Sequence, residues 1–549
     1  MKTFKTNLLS GIIVGIIALP LSMALAIAVG VPPQNGLYTA IIAGIIAASF
    51  GSSKINISGP TAAFVVILIP IVQDFGLKGL LVCGLLSGFF LLLMGLFKLG
   101  NLIELIPYPV TVGFTSGIAV VIATFQIKDF FGLTIESFTG HFHQKVITLI
   151  NSFHTIDLNE FAVGLSTLFI LIFWPKTKSK IPAALIALGS VTIAVTLFNK
   201  YFPNLEISTI YSSFQYQIGD IKGNGIPPIA LQFSFPWSGY TIDDLNLDMF
   251  YKLLPHSVAI AILGALESLL CAVISDGMTG NRTNPNKELI GQGLANIAVP
   301  FFGGIPATAA IARSVANIKS GATSKISSIV HAIFILLAIL LFSSYLSYLP
   351  MASLSALLLM VAWNMSEVKH FTNIIKVAPK HDVYVLLTCF ILTVLLDMQI
   401  AVGVGMGLAS ILFIKRTIDL YSIKLVNDEN FTTNKEIPDD VSIYSINGPM
   451  FFGAAQNALK VLLDTKDDIK TVIVSLEHVN MMDMTALVAF KSIVDNFNKN
   501  NKTLIITGVN NRIQKKLTKM GIIFDEKNLI LKQDINLALN TVLKNDSIL

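Results

Sequence analysis

Residues 56–72 read NISGPTAAFVVILIPIV, and residues 303–317 read GGIPATAAIARSVAN. Each stretch opens on Gly and Pro, which oppose a helix, and passes into small residues that begin one. Each therefore predicts a half-helix whose N-terminus lies inside an apolar region. A helix start buried in a membrane presents unpaired backbone N–H groups and the positive end of a dipole, which makes an anion site where that backbone lines a protein cavity. Paired, interrupted segments in the two halves of a membrane chain mark the substrate site of a transporter.

The rest of the chain fits a bilayer around these two stretches. Of 549 residues, 53% are hydrophobic and 13% charged, and the mean hydropathy is +0.72, far too apolar for a soluble chain of this length. Apolar runs lie near 8–30, 36–51, 56–72, 77–97, 101–127, 159–174 and 181–199, then near 250–275, 288–302, 305–319, 325–346, 350–366, 380–397 and 399–416. Seven and seven predicts an α-helical polytopic membrane protein of fourteen transmembrane segments. An odd number per half makes the second half insert upside down, so the two seven-segment repeats, about 8–199 and 250–416, are inverted. Lys176, Lys178, Lys180, Arg282, Lys287, Lys319, Lys325, Lys369, Lys376, Lys380, Lys415 and Arg416 all fall on one side, which the positive-inside rule makes the cytoplasm. Both termini lie there, at the cell's inner (plasma) membrane. Lys2 and Lys5 precede the first run without a convincing cleavage site, so that run reads as a retained helix.

After Arg416 the composition changes. The boundaries read as a transport domain over 1–418, a polar linker over 419–437 that includes VNDENFTTNKE, and a soluble domain over 438–549. VSIYSING, TVIVSLE and KTLIITGV read as strands, while QNALKVLLDT, TALVAFKSIVDNFNKNN and NRIQKKLTKMG read as helices, giving a small cytoplasmic α/β domain. The net charge of +5 is spread out, with no basic patch interleaved with aromatics, which argues against nucleic acid as a partner. Cys83, Cys271 and Cys389 sit in apolar runs without metal-type spacing and read as buried free thiols. There is no nucleophile with a base, no metal cluster and no phosphate loop, so an enzyme is not expected and no metal or other cofactor is implied.

Glu267, inside SVAIAILGALESLLCAVI, is the sharpest single residue. An ionised carboxylate there costs several kcal/mol unless it is paired or faces water, so a proton-coupling role is expected; hydrogen bonding to a neighbouring helix is the alternative. Gly264, Ser268 and Cys271 share its neighbourhood and admit close backbone contact. Arg313, in the second half-helix, can grip a carboxylate through two parallel hydrogen bonds, or can pair structurally with an acid of the protein such as Glu267. Thr61, Ala62 and Ala63 are expected to open the first half-helix, and Thr308, Ala309, Ala310 and Ile311 the second. Their N–H groups and the two Thr hydroxyls are the expected substrate ligands. Asp74 and Asp397 read as interfacial.

LPLSMALAIAVGVPPQNGLYTAIIAG, NISGPTAAFVV and GFTSGIAV resemble the SulP anion transporters, over nearly the whole chain and including a C-terminal STAS domain. LGALESLLCAVISDGMTG, GQGLANIAVPFFGGIPATAAIARSVANIKSGATS and LLLMVAWNMSEVKH most resemble the DauA-type members, bacterial proton-coupled carriers of C4-dicarboxylates such as succinate, fumarate and aspartate. The resemblance implies a core of segments 1–4 and 8–11 moving against a gate of segments 5–7 and 12–14, commonly as a homodimer. It places Ser22, Met23 and Leu25 of the first segment along the cavity and makes Glu104 a contact of the gate. Sodium-coupled bicarbonate carriers of the family usually have Asp at the position of Glu267 and can have Thr at that of Cys271. A neutral thiol is a poor ligand for a hard cation, so proton coupling is favoured here. In MMDMTAL, Met484 stands where soluble STAS relatives carry a phosphorylatable Ser, which points to dimer contact or a regulatory protein partner rather than a phosphoswitch. The expected function is proton-coupled uptake of small dicarboxylates. Sulfate or bicarbonate transport, or an anion channel, are the alternatives.

Overall fold

The computed structural model describes residues 2–549 apart from 102–105, 136–139, 178, 180, 219–220, 229–230, 239–246, 397, 420, 427–436, 467, 526 and 547–549. Glu104, Asp397, Lys178 and Lys180 therefore lie outside the described residues. The chain forms two compact units, Met1–Gly407 and Leu408–Leu549.

In the first unit the elements are α1 (Lys2–Val29), α2 (Pro33–Phe50), β1 (Ser58–Gly59), α3 (Ala62–Leu96), α4 (Tyr108–Phe130), α5 (Phe142–Asn151), α6 (Leu158–Phe173) and α7 (Ala183–Tyr201). A connecting region of α8 (Ile210–Ser213) and the hairpin β2 (Gln215–Ile218) and β3 (Ile221–Asn224) follows. The second half contains α9 (Leu247–Thr279), α10 (Pro285–Ala298), β4 (Thr308–Ala309), α11 (Ile311–Lys319), α12 (Ile326–Leu346), α13 (Met351–Ser366), α14 (Val368–Val377) and α15 (Lys380–Leu395). α16 (Met398–Asp419) runs on into the second unit. Among the described residues, nine helices are long and apolar enough to cross a bilayer. Each apolar run of the sequence falls on a helix, and α3 carries two runs because Gly76, at φ +66° and ψ −172°, breaks it. Only Gly adopts that backbone freely, and a Cβ there would meet nothing within 4 Å, so conformation rather than crowding fixes the residue.

The helices pack in two groups. α1, α2, α3, α9, α10, α11 and α12 pack on one another, while α4, α6, α7, α13 and α15 form a second cluster. These match the expected core and, segment 14 (α16) apart, the expected gate. The tightest seam is α3 against α10, where Gly faces backbone. A Cβ on Gly88 would lie 2.5 Å from the Ile297 nitrogen, and one on Gly293 would lie 2.5 Å from that of Leu92. With lipid outside, helices gain little from hydrophobic burial against each other, so such close approach is how they hold.

The second unit contains a five-stranded sheet ordered β5 (Ser422–Leu425), β6 (Val441–Asn447), β7 (Thr471–His478), β8 (Thr503–Thr507), β9 (Leu529–Lys532). β5 is antiparallel to β6 and the other neighbours are parallel. α17 (Phe452–Leu463), α18 (Met484–Lys499) and α19 (Asn511–Lys519) bury Ala455, Phe490 and Leu517 in one core, while α20 (Ile535–Asp546) buries Ala538 and Leu539 with Ile473 and Ile505 in another. The three expected strands and three expected helices are present. The structure adds β5, β9 and α20, and β5 lies within 419–437, so that stretch is not linker throughout.

Candidate functional site

The segments preceding the two half-helices pair with each other. β1 and β4 form a two-stranded antiparallel ladder, Ser58 opposite Ala309 and Gly59 opposite Thr308. This brings the starts of α3 and α11 together. α11 has nine residues, about 13 Å at 1.5 Å per residue, far short of a bilayer.

Thr61 is the extended residue before α3, and the N–H groups of Ala62 and Ala63 head that helix. The second helix starts later than the sequence suggested. Thr308 and Ala309 are strand, Ala310 is the N-cap, and the Ala310 N–H donates to the Ile57 carbonyl at 2.9 Å. Ladder pairing takes up the backbone ahead of the helix, so the N–H groups heading α11 belong to Ile311, Ala312 and Arg313. The Thr308 hydroxyl is fully buried and donates to the Gly264 carbonyl at 3.0 Å, so it holds α9 rather than facing a ligand.

Glu267 is partly buried, and its Oε2 accepts a hydrogen bond from the Thr61 hydroxyl at 2.9 Å. The acid of α9 thus touches the tip of the first half-helix. Arg313 is 2% exposed and donates from Nη2 to the Pro60 carbonyl, while its Nε and Nη1 have no partner among the described residues. It lies within electrostatic range of Glu267 and Cys271, but no ion pair with Glu267 forms. The guanidinium instead spans the ladder from one half-helix to the other.

Other expected residues are enclosed. The Ser268 hydroxyl donates to the Gly264 carbonyl at 2.6 Å, and Cys271 is 1% exposed. Ser22, Met23 and Leu25 are buried to 2% or less, so in this conformation they pack in the core instead of bordering open space. The reason is the crossing of α1 and α2, where a Cβ on Gly36 would fall 1.9 Å from the Ser22 carbonyl oxygen. Asp74, by contrast, is exposed, two residues before the break in α3.

Sequence reasoning missed the residues that hold the approaches to both half-helices. Glu288 is 2% exposed and its Oε2 accepts from the Ser52 and Ser53 N–H groups, both at 2.8 Å. Gln292 donates to the Ser58 hydroxyl at 2.8 Å, and Asn296 exchanges two hydrogen bonds with Ala307, each 2.8 Å. The signal was present: Glu288, Gln292 and Asn296 recur every fourth residue, a polar stripe on a helix that should otherwise face hydrocarbon. His331 is also fully buried, near Arg313, with neither ring nitrogen partnered among the described residues.

Two opposed helix starts, an arginine spanning them and an acid at their tip, inside a bundle of apolar helices, define a membrane transporter of anions. The chain matches the sulfate permease family over residues 4–389 and a STAS domain over 432–534. It therefore belongs to the sulfate permease (SulP) family. It is 40% identical over 523 residues to YvdB of Bacillus subtilis (strain 168), whose naming as a sulfate transporter is itself provisional, covering 95% of this chain and 94% of that protein. It is 28% identical over 542 residues to the bicarbonate transporter BicA of Picosynechococcus sp. (strain ATCC 27264 / PCC 7002 / PR-6), covering 95% and 91%. The fold is that of the murine Solute Carrier 26 family member A9 anion transporter in its inward-facing state, at TM-score 0.83 and 17% identity over 99% of this chain and 91% of that one. These relatives are transporters, not enzymes.

Proposed function

We propose that this chain is a secondary active transporter that takes up C4-dicarboxylates, such as succinate, fumarate and aspartate, together with protons. The anion sits against the N–H groups of Ala62, Ala63, Ile311 and Ala312, in the field of Arg313, and Glu267 carries the proton. The core then moves against the gate to change the side to which the site opens.

The observation that supports this most is the 2.9 Å hydrogen bond from Thr61 to Glu267. It makes one residue common to the acid and to the anion seat, so the state of the carboxyl and the occupancy of the seat act on each other. Arg313 and Cys271 are the other groups of the site within electrostatic range of Glu267. The quoted DauA-like strings point the same way.

Sulfate or bicarbonate is the second reading, favoured by the names of the relatives. Uptake of succinate, fumarate, aspartate, sulfate and bicarbonate into proteoliposomes, with and without a pH gradient, separates the readings. Only the dicarboxylates should respond to the gradient; a response confined to sulfate or bicarbonate would replace the substrate assignment, and conduction without proton uptake would make the chain a channel. In Glu267→Gln, gradient-driven uptake should collapse while the protein folds. Unchanged proton dependence would remove Glu267 from the mechanism.

The same reading carries a homodimer, as the resemblance implies, in the plasma membrane, with both termini and the STAS unit in the cytoplasm; that orientation is supported by the one-sided Lys and Arg loops. Met481 and Met484, 51% and 62% exposed, offer the STAS unit a surface for a regulatory protein.

A further inference from the structure

We infer that Glu288, far from the head of either half-helix in sequence, is a positioning residue for the anion seat: it fixes the loop that delivers Thr61 to Glu267. This rests on the reading of the half-helix junction as the transport site.

The loop over residues 51–58 leads directly into Pro60 and Thr61, and it is held from four helices. From α10, the Glu288 carboxylate accepts the Ser52 and Ser53 N–H groups on one oxygen, and the Asn56 side-chain amide at 3.4 Å on the other. From α9, Ser275 donates to the Asn56 side-chain oxygen at 3.0 Å; from α12, Ser328 donates to the Asn56 carbonyl at 2.9 Å. From α11, Asn317 donates to the Ile55 carbonyl at 2.8 Å and Ser314 accepts the Ile57 N–H at 2.9 Å. Lys325 closes the near end by donating to the Gly51 carbonyl at 2.6 Å.

Within this socket Glu288 is the member without a substitute. It accepts from two consecutive backbone N–H groups and one side chain, and its carboxylate is reached at close quarters: a Cβ on Gly51 would lie 2.9 Å from its Oε2, and one on Gly291 would strike the Gly51 nitrogen at 2.4 Å. Ser52 and Ser53 can point their N–H groups inward only while an acceptor stands there. A functional group is held in place by such a supporting shell to within about 0.5 Å, and without it the seat loosens. Ser275 adds a direct link, because it shares α9 with Glu267 and lies two turns below it. The loop carrying Thr61 and the helix carrying Glu267 are thereby locked to each other at a second point.

The test uses the full-length protein in proteoliposomes, with radiolabelled succinate and sulfate as probes. Glu288→Gln places an amide group against the donors and should raise KM about tenfold for the transported anion, with kcat changed less. Glu288→Asp, which keeps the carboxylate, should recover part of the loss. Ser275→Ala should move KM the same way by a smaller factor, and keeps the question answerable if Glu288→Gln fails to fold. Hydrogen exchange at residues 52–57 should rise in each variant while exchange elsewhere is unchanged. The pH midpoint of uptake should stay where it is in the wild type, because a positioning residue does not carry the proton.

Wild-type KM and exchange in these variants would overturn the inference. A moved pH midpoint would also overturn it, by making Glu288 a proton carrier. Failure of the underlying site reading has a different signature: Thr61 and Arg313 variants would then leave anion affinity untouched.

Discussion

The two half-helices are counterparts in sequence, and their approaches are built from opposite materials. The loop before α3 is held by a carboxylate and a lysine, Glu288 and Lys325, together with serine and asparagine side chains. Among the described residues, the loop before α11 is held by neutral groups: Asn35 on the Gly303 carbonyl, Thr39 accepting the Ile305 N–H at 2.7 Å, and Asn296 on both polar groups of Ala307. Functional groups divide the other way. The first half-helix presents a neutral hydroxyl, Thr61, at its tip, and the second carries the charge, Arg313. Charged side chains thus hold the loop before the first half-helix, while the second carries its charge within the helix itself. The lesson is that an inverted repeat copies backbone geometry while leaving side-chain chemistry free to diverge.

Replacing Arg313 should have the largest effect, because it removes the buried charge that the second half-helix brings to the junction. Arg313→Ala is expected to weaken anion binding roughly 10–100-fold, the equivalent of about 1.5–3 kcal/mol for hydrogen bonds to a charged group. Competition of unlabelled anion against labelled uptake measures it, and wild-type affinity would reassign Arg313 to holding the Pro60 carbonyl.

A matched pair sharpens the contrast between the two threonines. Thr61→Val removes the hydroxyl on Glu267 and should lower uptake several-fold and shift its pH midpoint. Thr308→Val removes a hydroxyl already committed to Gly264, so it should cost about 1 kcal/mol of stability, visible in thermal melting, with anion affinity retained. Equal loss of affinity in both variants would erase the distinction.

The smallest effect is expected from Ala312→Ser. Ala312 is exposed at the head of α11, where the second half-helix lacks a free hydroxyl of its own, and a serine there should tighten anion binding by about two- to threefold. A change in selectivity among succinate, sulfate and bicarbonate without tighter binding would show that this position sorts anions instead of holding them.

Much of this was readable beforehand because the bilayer imposes a coarse rule: spans must be long, apolar and internally hydrogen-bonded. Hence the fourteen runs, and the break after Asp74, appear in the sequence as hydropathy and as Gly and Pro. The three central strands of the STAS unit were legible by alternation with helices. The short β5 was hidden in a polar stretch, and four residues carry too little pattern to announce a strand. Within the site, Glu267 and Arg313 stood out because charge is rare in hydrocarbon. Glu288 carries equal charge but lies in the first turn of α10, close to Asn284 and Lys287, where an acid passes for a helix-end residue.

The sequence alone determined that the chain spans a membrane many times, that two of its spans are interrupted at matching places, and that an acid and an arginine lie among apolar residues. These follow from composition and local propensity, which act along the chain. Tertiary structure decided where α11 begins, that the Thr308 hydroxyl belongs to Gly264, that Arg313 reaches Pro60 instead of Glu267, and that Glu288 grips a loop more than 200 residues away. Each of those is a hydrogen bond between distant segments, and its partner is chosen by which backbones the packing brings within about 3 Å.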